Sequence, residues 1–274
     1  MYSKRAGKPN AKTVKTGYYT QCWNFWKDGV CPKKTGVQIM CADCSNQRYK
    51  QLTGDDLMNH LIGATEDSSD IIGVYPMLPN ETCNFLVFDF DNHEGDNLSD
   101  DDTKAGEDWI GEVNSMRTIC KQNDVDVLVE RSRSGKGAHI WIFFEEPIPV
   151  FVARRFGDAL LTKGAESVNQ KTFHSYDRMP PAQDHMPAGG LGNLIALPLQ
   201  GKALREGNSA FIDENWNPYP NQWKQVQVVK KLSKLFVEER IKEWNENSTL
   251  NFLAEDLGGD KHSGDMSRTF SKRF

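Results

Sequence analysis

Alternation of hydrophobic and polar residues is clearest over residues 84–91, NFLVFDFD, where it predicts a β-strand. Side chains of a strand point to its two faces in turn, so Phe88 and Phe90 are expected to face a core and Asp89 and Asp91 the opposite side. Two carboxylates spaced in this way lie roughly 6–7 Å apart along the strand. They can jointly hold one or two divalent cations such as Mg²⁺, which prefer oxygen ligands. A strand end that runs into an acidic loop explains the same residues equally well.

Hydrophobic periodicity predicts four helices and five further strands around this strand. The helices are expected after Thr53 as far as Gly63, after Ser99, over 150–163 and over 225–243. The strands are expected over 71–77, 125–130, 139–144, 192–201 and 207–213. A long polar loop over 165–192 precedes the last two strands. Residues 1–17 show no periodic pattern, and a flexible basic arm is expected there.

The composition is that of a soluble globular protein with one large domain or two small ones: 274 residues, 38% hydrophobic and 26% charged. No hydrophobic run approaches the length of a membrane span. The start of the chain, MYSKRAGKPNAKTVK, lacks the apolar segment of a secretory signal. A cytoplasmic location without a membrane partner is therefore expected, and thiols are reduced in that compartment.

Charge is distributed unevenly, although the net charge is only −5. Residues 1–50 carry ten Lys or Arg and two Asp or Glu, whereas residues 54–113 carry one lysine and sixteen acids. A basic N-terminal segment suits a polyanionic partner such as nucleic acid. Part of the acidic segment could supply metal ligands, and the alternative is a solvated face.

Four of the six cysteines fall within 23 residues, at Cys22, Cys31, Cys41 and Cys44, with the spacing C-x8-C-x9-C-x2-C. In a reducing compartment clustered cysteines bind metal more often than they form disulfides. Four thiolates in a tetrahedron suit Zn²⁺, so a structural zinc site is predicted. The alternative is four unrelated core cysteines.

Aromatic residues and cations occur together in the same segment: Tyr18, Tyr19, Trp23, Phe25 and Trp26 with Lys27, Lys33, Lys34, Arg48 and Lys50. Such a mixture can stack bases and hold phosphates. A small module also needs aromatic residues for its own core, and this second interpretation is favoured for most of them.

A second informative stretch is Arg131 to Phe144, RSRSGKGAHIWIFF. Its glycine-rich turn offers backbone N–H groups, a hydroxyl and cations to a phosphate. It is not a Walker A loop, because the G-x-x-x-x-G-K-[ST] pattern is missing. His139 directly follows the turn and can donate to a phosphate; the alternative is a structural histidine.

Together these stretches resemble the archaeo-eukaryotic primase superfamily. That family carries a DxD motif on a strand, a serine and histidine element that opens a strand, and a hydrophobic residue followed by aspartate. The matching residues are Asp89 and Asp91, Ser134 with His139, and Asp213 after Ile212. The longer stretches SGKGAHIWIFF, GGLGNLIALPLQG and GNSAFID are similar to CRISPR-associated primase-polymerases and to the primase domains of TOTE conflict systems. The likeness spans about residues 53–220.

The resemblance implies an α+β fold, with an RNA-recognition-motif-like antiparallel sheet joined to an N-terminal αβ unit and a small zinc module. The predicted division is a flexible basic arm over 1–17, a four-cysteine zinc module over 18–50, the primase-polymerase core over 51–224, a C-terminal helix over 225–250 and a loose tail over 251–274.

The resemblance also implies template-directed transfer of a nucleotide from an NTP or dNTP to a 3′-hydroxyl, with release of pyrophosphate. Two Mg²⁺ or Mn²⁺ ions would be held by Asp89, Asp91 and Asp213. The residues expected to bind the nucleotide are Ser134, Lys136, Gly137, His139, Arg131, Arg133, Arg205 and Asn193. The expected partners are a single-stranded template and a primer. The chain is expected to act as a monomer in a CRISPR or other defence system, or as part of a longer polypeptide.

Two rival functions fit the same residues. One is a zinc-containing nucleic-acid-binding module with an inactive catalytic relic, which the presence of all three acids disfavours. The other is a metal-dependent nuclease or phosphohydrolase, for which His93 could be an additional ligand, although the sequence has no HxH or HD pair.

Overall fold

A computed structural model of the chain describes residues 2–5, 17–92, 109–168, 173–188 and 190–246. The strands are β1 (Tyr2–Arg5), β2 (Tyr18–Thr20), β3 (Ile72–Val74), β4 (Thr82–Asp91), β5 (Leu128–Arg131), β6 (Gly137–Pro149), β7 (Tyr176–Arg178), β8 (Ile195–Ala196) and β9 (Ala210–Phe211). The helices are α1 (Gly54–Ile62), α2 (Trp109–Gln122), α3 (Val150–Ser167), α4 (Gly201–Leu204), α5 (Gln222–Val228) and α6 (Lys234–Glu246). No helix within these ranges is long and apolar enough to cross a membrane.

A five-stranded antiparallel sheet in the order β7-β4-β6-β5-β9 forms the centre of the molecule. Its register sets one row of residues side by side across the strands. Asp89 pairs with Arg178 on one side and with His139 on the other. His139 pairs in turn with Glu130 of β5, which pairs with Phe211 of β9. Directly paired residues of an antiparallel sheet lie on the same face, so this row brings several charged side chains together.

The two faces of this sheet are covered differently. Helices α2 and α3 pack on one face, where Phe88, Phe90 and Ile140 are fully buried in the main hydrophobic core. Burial of a phenylalanine contributes about 1.5–3 kcal/mol. The predicted orientation of the alternating strand 84–91 is therefore confirmed.

The opposite face is partly covered by a four-stranded antiparallel sheet in the order β2-β1-β3-β8. A second apolar cluster joins the two sheets and includes Val87 and Trp141 from the larger sheet and Ile195 from β8. By strand alternation, Asp89 and His139 share the face of Val87 and Trp141. The charged row is thus a continuation of the interface between the sheets. Helices with two antiparallel sheets confirm the α+β class.

The N-terminal arm predicted over 1–17 is wrong at its beginning, because Tyr2–Arg5 forms strand β1 between β2 and β3. Tyr2 and Ser3 are buried there. The Tyr2 hydroxyl donates to Asp56 of α1 at 2.8 Å. A four-residue strand is too short to show a periodic pattern, which explains why the sequence did not reveal it.

Three predicted elements are shorter or divided in the structure. The helix predicted over 225–243 is two helices, α5 and α6, because Leu232 between them pairs with Phe144 of β6. The strands predicted over 192–201 and 207–213 shrink to β8 and β9, and Gly201 begins helix α4. The first part of the helix predicted after Ser99, His93 and the predicted tail over 251–274 lie outside the described residues.

Candidate active site

Three aspartates form a cluster on the charged face of the large sheet. Asp89 and Asp91 come from β4 and Asp177 from β7, and one carboxylate oxygen of each lies within 4.8 Å of those of the other two. Asp89 is buried, Asp91 is half-buried and Asp177 is exposed, so the cluster opens toward solvent. Among the described residues, no other set of three or more Cys, His, Asp or Glu brings its ligand atoms this close. Three carboxylates in such a group suit a hard divalent cation.

A β-bulge brings Asp177 into this cluster. Phe90 pairs with Tyr176, whereas Asp89 pairs with Arg178, so Asp177 is an extra residue in β7. A bulge re-aims side chains and bends the strand locally. Both Asp177 and Arg178 therefore reach the face of Asp89, which a regular strand would not allow for two consecutive residues.

Asp213, predicted as the third metal ligand, does not join the cluster. It follows β9, which lies three strand positions from β4, or about 14 Å at the usual strand spacing. Its carboxylate accepts the backbone N–H groups of Asn215 and Asn217, both at 2.9 Å. Asp213 thus closes a turn. A hydrophobic residue followed by aspartate also occurs at Tyr176 and Asp177. The sequence therefore contained a second candidate for the third motif.

Two buried carboxylates flank the imidazole of His139. Its Nε2 lies 3.3 Å from Asp89, and its Nδ1 lies 2.9 Å from Glu130. Asp89, Glu130 and His139 are only 4%, 2% and 9% exposed, so these charges are shielded from water. Burial alone would lower the pKa of His139, but the charges and hydrogen bonds of Glu130 and Asp89 outweigh it and raise the pKa to about 10. His139 is therefore a cation at neutral pH.

Glu130 is a site residue that the sequence analysis did not identify. Besides His139 it accepts the indole N–H of Trp141 at 3.0 Å and the hydroxyl of Ser209 at 3.3 Å. Its place beside His139 follows from the pairing of β5 with β6. That register cannot be read from the sequence, where Glu130 is only the last residue of a predicted strand.

Arg178 is a second residue that the sequence analysis missed. Its guanidinium Nε donates to Asp89 at 3.0 Å and lies 3.6 Å from Asp177. Burial would raise the pKa of Asp89, but His139 and Arg178 outweigh it and hold the pKa below its usual value. Asp89 is thus an anion between two cations.

The glycine-rich turn between β5 and β6 adjoins the cluster. A Cβ atom at Gly137 would collide with the Phe90 carbonyl oxygen and would lie 2.7 Å from an Asp91 carboxylate oxygen. Only glycine therefore lets β6 begin so close to Asp91. Ser134 and Lys136 are exposed on this turn, and the Ser134 hydroxyl accepts the Lys136 backbone N–H at 3.3 Å.

The other predicted nucleotide-binding residues lie in different surroundings. Arg131 donates to the carbonyl of Trp216 at 2.6 Å, and Arg205 donates to the carbonyl of Ile62 at 3.0 Å. Both guanidinium groups thus hold backbone rather than face the acids. Arg133 is half-buried, and burial together with the neighbouring charge of Arg5 lowers its pKa. Asn193 has a buried side-chain oxygen without a hydrogen-bond partner among the described residues.

The four clustered cysteines line one small cavity. Cys22 accepts the backbone N–H groups of Asn24 at 3.4 Å and Arg48 at 3.3 Å. Backbone hydrogen bonds at Trp26, Lys33 and Lys34 lower the pKa of Cys31. Hydrogen bonds of this kind stabilise thiolates. However, no three of these four sulfur atoms all lie within 4.8 Å of one another. The zinc site therefore stays a prediction.

Comparison with known proteins identifies a family and shows a likeness to solved structures. The family model of the archaeo-eukaryotic primase domain of TOTE conflict systems matches residues 2–240. Among solved structures, the chain is similar to the polymerase domain of Mycobacterium tuberculosis ligase D in complex with DNA. The identity is 12%, the TM-score is 0.39, and the match covers 88% of this chain and 80% of that chain. No curated protein matches the sequence.

Proposed function

The chain belongs to the archaeo-eukaryotic primase domain family of TOTE conflict systems, and from this premise we propose that it is a template-directed primase-polymerase. The reaction would join the α-phosphate of an NTP or dNTP to a 3′-hydroxyl and release pyrophosphate. Family membership confirms the resemblance found in the sequence. An association with a CRISPR locus stays a prediction.

The observation that carries this proposal is the cluster of Asp89, Asp91 and Asp177 beside a buried cationic histidine. Its oxygen donors fit Mg²⁺ or Mn²⁺. When bound, two such ions would lower the pKa of the attacking hydroxyl and offset the charge of the leaving pyrophosphate. Asp177 replaces Asp213 in the ligand set that we propose.

The chain's own residues would position the nucleotide. Glu130 holds the imidazole of His139 in place through Nδ1 and keeps it charged. The remaining donor is Nε2, 3.3 Å from Asp89, which would turn from Asp89 to a phosphate oxygen and donate a charge-assisted hydrogen bond to it. Lys136 and Ser134, exposed on the turn beside Asp91, supply a cation, a hydroxyl and backbone N–H groups. Arg133 and Asn193 are further candidates for nucleotide contacts.

The four cysteines are proposed to hold a structural Zn²⁺ ion. Their common cavity and the N–H groups donated to Cys22 support this assignment. Metal analysis of purified protein should find about one zinc per chain, which falls when Cys41 and Cys44 are replaced by serine. Wild-type protein that contains no zinc after purification would contradict the assignment.

The proposed reaction can be tested with single-stranded template, labelled nucleotides and Mg²⁺ or Mn²⁺, with and without a primer. We expect labelled products from the wild type and none from Asp89→Ala/Asp91→Ala. A shortened template would instead indicate a nuclease. Template binding without any product would indicate an inactive binding module. Either result would contradict the proposal.

A further inference from the structure

Four aromatic residues of the cysteine module lie on its surface rather than in its core. Trp23 is 63% exposed, Trp26 54%, and Tyr19 and Phe25 38% each. None of the residues 18–50 belongs to the buried core of the described chain. The favoured interpretation of these rings as the module's own core is therefore wrong for these four. Exposed aromatic groups in contact with one another usually mark an interaction site.

We call these four rings the aromatic surface, and three of them are in contact with one another. The ring centroids of Tyr19 and Phe25 lie 5.9 Å apart, and those of Phe25 and Trp26 lie 5.7 Å apart. Trp23 lies on the same short turn, and the ammonium of Lys50 sits 4.9 Å from the centroid of its ring. The rings thus offer several flat faces at neighbouring positions, and one of them already has a cation beside it.

The backbone of Trp26 is in the left-handed region, with φ of 59°. A bulky residue rarely adopts this conformation. Burial does not compensate for it, because more than half of the Trp26 side chain is exposed. Strain that persists without a packing benefit is found more often at functional sites.

Charge favours a polyanion as the occupant of the aromatic surface. The segment 18–50 carries five Lys or Arg and two Asp or Glu. One of the acids, Asp28, is already paired with Lys34 at 2.7 Å. Aromatic rings that stack bases, next to cations that hold phosphates, are what single-stranded nucleic acid requires.

The aromatic surface shares strand β2 with Tyr18, a residue near the candidate active site. Tyr19 lies on β2, the edge strand of the four-stranded sheet. Its neighbour Tyr18 is within electrostatic reach of Arg133 and Arg178, although burial is the main influence on the pKa of Tyr18. Strand β2 therefore connects the cations around the acid cluster with the exposed rings.

We propose that the aromatic surface binds single-stranded nucleic acid by stacking bases on Trp23 and Trp26, outside the candidate active site. This inference rests on the proposed function, since it assigns to the cysteine module the binding of the single-stranded template used in the proposed nucleotide transfer. The aromatic surface is expected to bind nucleic acid without a strong preference for its base sequence, because every base has a face that can stack.

The test measures binding of a fluorescent single-stranded oligothymidylate to the full chain by anisotropy. Trp23→Ala/Trp26→Ala should raise the Kd roughly 30-fold or more, since two stacked bases lose their partners. Trp23→Phe/Trp26→Phe should retain most of the affinity. Trp223→Ala is the matched control, because Trp223 is also 54% exposed but lies on α5. Circular dichroism should show that all variants fold.

The same assay separates this inference from the proposed reaction. Asp89→Ala/Asp91→Ala should abolish nucleotide transfer and leave the Kd for the strand within a few-fold of the wild type. If even the wild type does not transfer nucleotides, but Trp23→Ala/Trp26→Ala still raises the Kd for the oligonucleotide, only the proposed reaction fails. An unchanged Kd in Trp23→Ala/Trp26→Ala, an equal loss in Trp223→Ala, or a wild type that does not bind the strand would overturn the inference.

Discussion

At the scale of single residues, the site depends on compensation between buried charges. Asp89 and Glu130 are both buried, and the imidazolium of His139 lies between them. A buried charge without a partner would cost several kcal/mol. Arg178 adds a second cation on the far side of Asp89. Each member of this row is therefore needed to keep its neighbours ionised and in place.

Glu130 is expected to act as a positioning residue for His139. Glu130→Gln keeps a side chain of the same shape but removes the charge that keeps the imidazole protonated. We expect nucleotide transfer to slow by roughly 10- to 150-fold, the loss of one charge-assisted hydrogen bond of about 1.5–3 kcal/mol. The effect should fall on kcat or on KM for the nucleotide, and the affinity for the template strand should not change.

Ser209→Ala is the control for this prediction. It removes the 3.3 Å hydrogen bond to the other oxygen of Glu130 and the 3.2 Å hydrogen bond from the backbone N–H of Gln200, and it leaves the contact of Glu130 with His139 intact. Kinetics within a few-fold of the wild type are expected. Equal losses in the two variants would show that Glu130 has a general structural role.

At the scale of elements, helix α1 anchors the N-terminal sheet. Thr53 and Asp56 form a capping box at the start of the helix. Asp56 also lies 2.6 Å from the ammonium of Lys4 and accepts the hydroxyl of Tyr2, both on β1. Because β1 pairs with β2, this one carboxylate ties the helix to the sheet that overlies the site.

Asp56→Asn should lower the free energy of unfolding by about 1 kcal/mol at neutral pH. Burial would raise the pKa of Asp56, but Lys4, Thr53 and Tyr2 outweigh it and hold the pKa below its ordinary value of 3.8. A lowered native pKa gives stability that is present above the unfolded pKa and is lost as the pH falls through the native one. The difference between variant and wild type should therefore shrink below about pH 4.

Urea unfolding at several pH values measures this difference. Asp55→Asn, a change of the exposed neighbour in the same first turn, should cost less at every pH. A cost of Asp56→Asn that does not change as the medium is acidified would contradict the explanation.

At the scale of the whole molecule, the sequence predicted the part of the site that lies on one regular strand and its following turn. The alternating pattern of β4 placed Phe88 and Asp89 on opposite faces, as observed. Asp177 was not predicted as a ligand, because β7 is a three-residue strand in a polar loop and its bulge has no periodic signal. Glu130 depended on strand register, which arises only when β5, β6 and β9 pair.

Asp213 was predicted as a metal ligand but lies outside the acid cluster. A hydrophobic residue followed by aspartate at a strand end looked like the third motif, but the order of strands in the sheet puts β9 at the edge farthest from β7. Pairs of residues that match a short motif cannot reveal which strands become neighbours. The sheet order thus decides between two aspartates that the sequence alone treats as equivalent.

The most direct measurement compares nucleotide incorporation on a single-stranded template by Asp177→Asn and Asp213→Asn under identical metal and nucleotide concentrations. Loss of a ligand in the acid cluster should slow Asp177→Asn by roughly 100-fold or more, since metal ions contribute several kcal/mol to such transition states. Asp213→Asn should remain within a few-fold of the wild type, because that carboxylate only closes a turn. An inactive Asp213→Asn together with an active Asp177→Asn would contradict the proposed site.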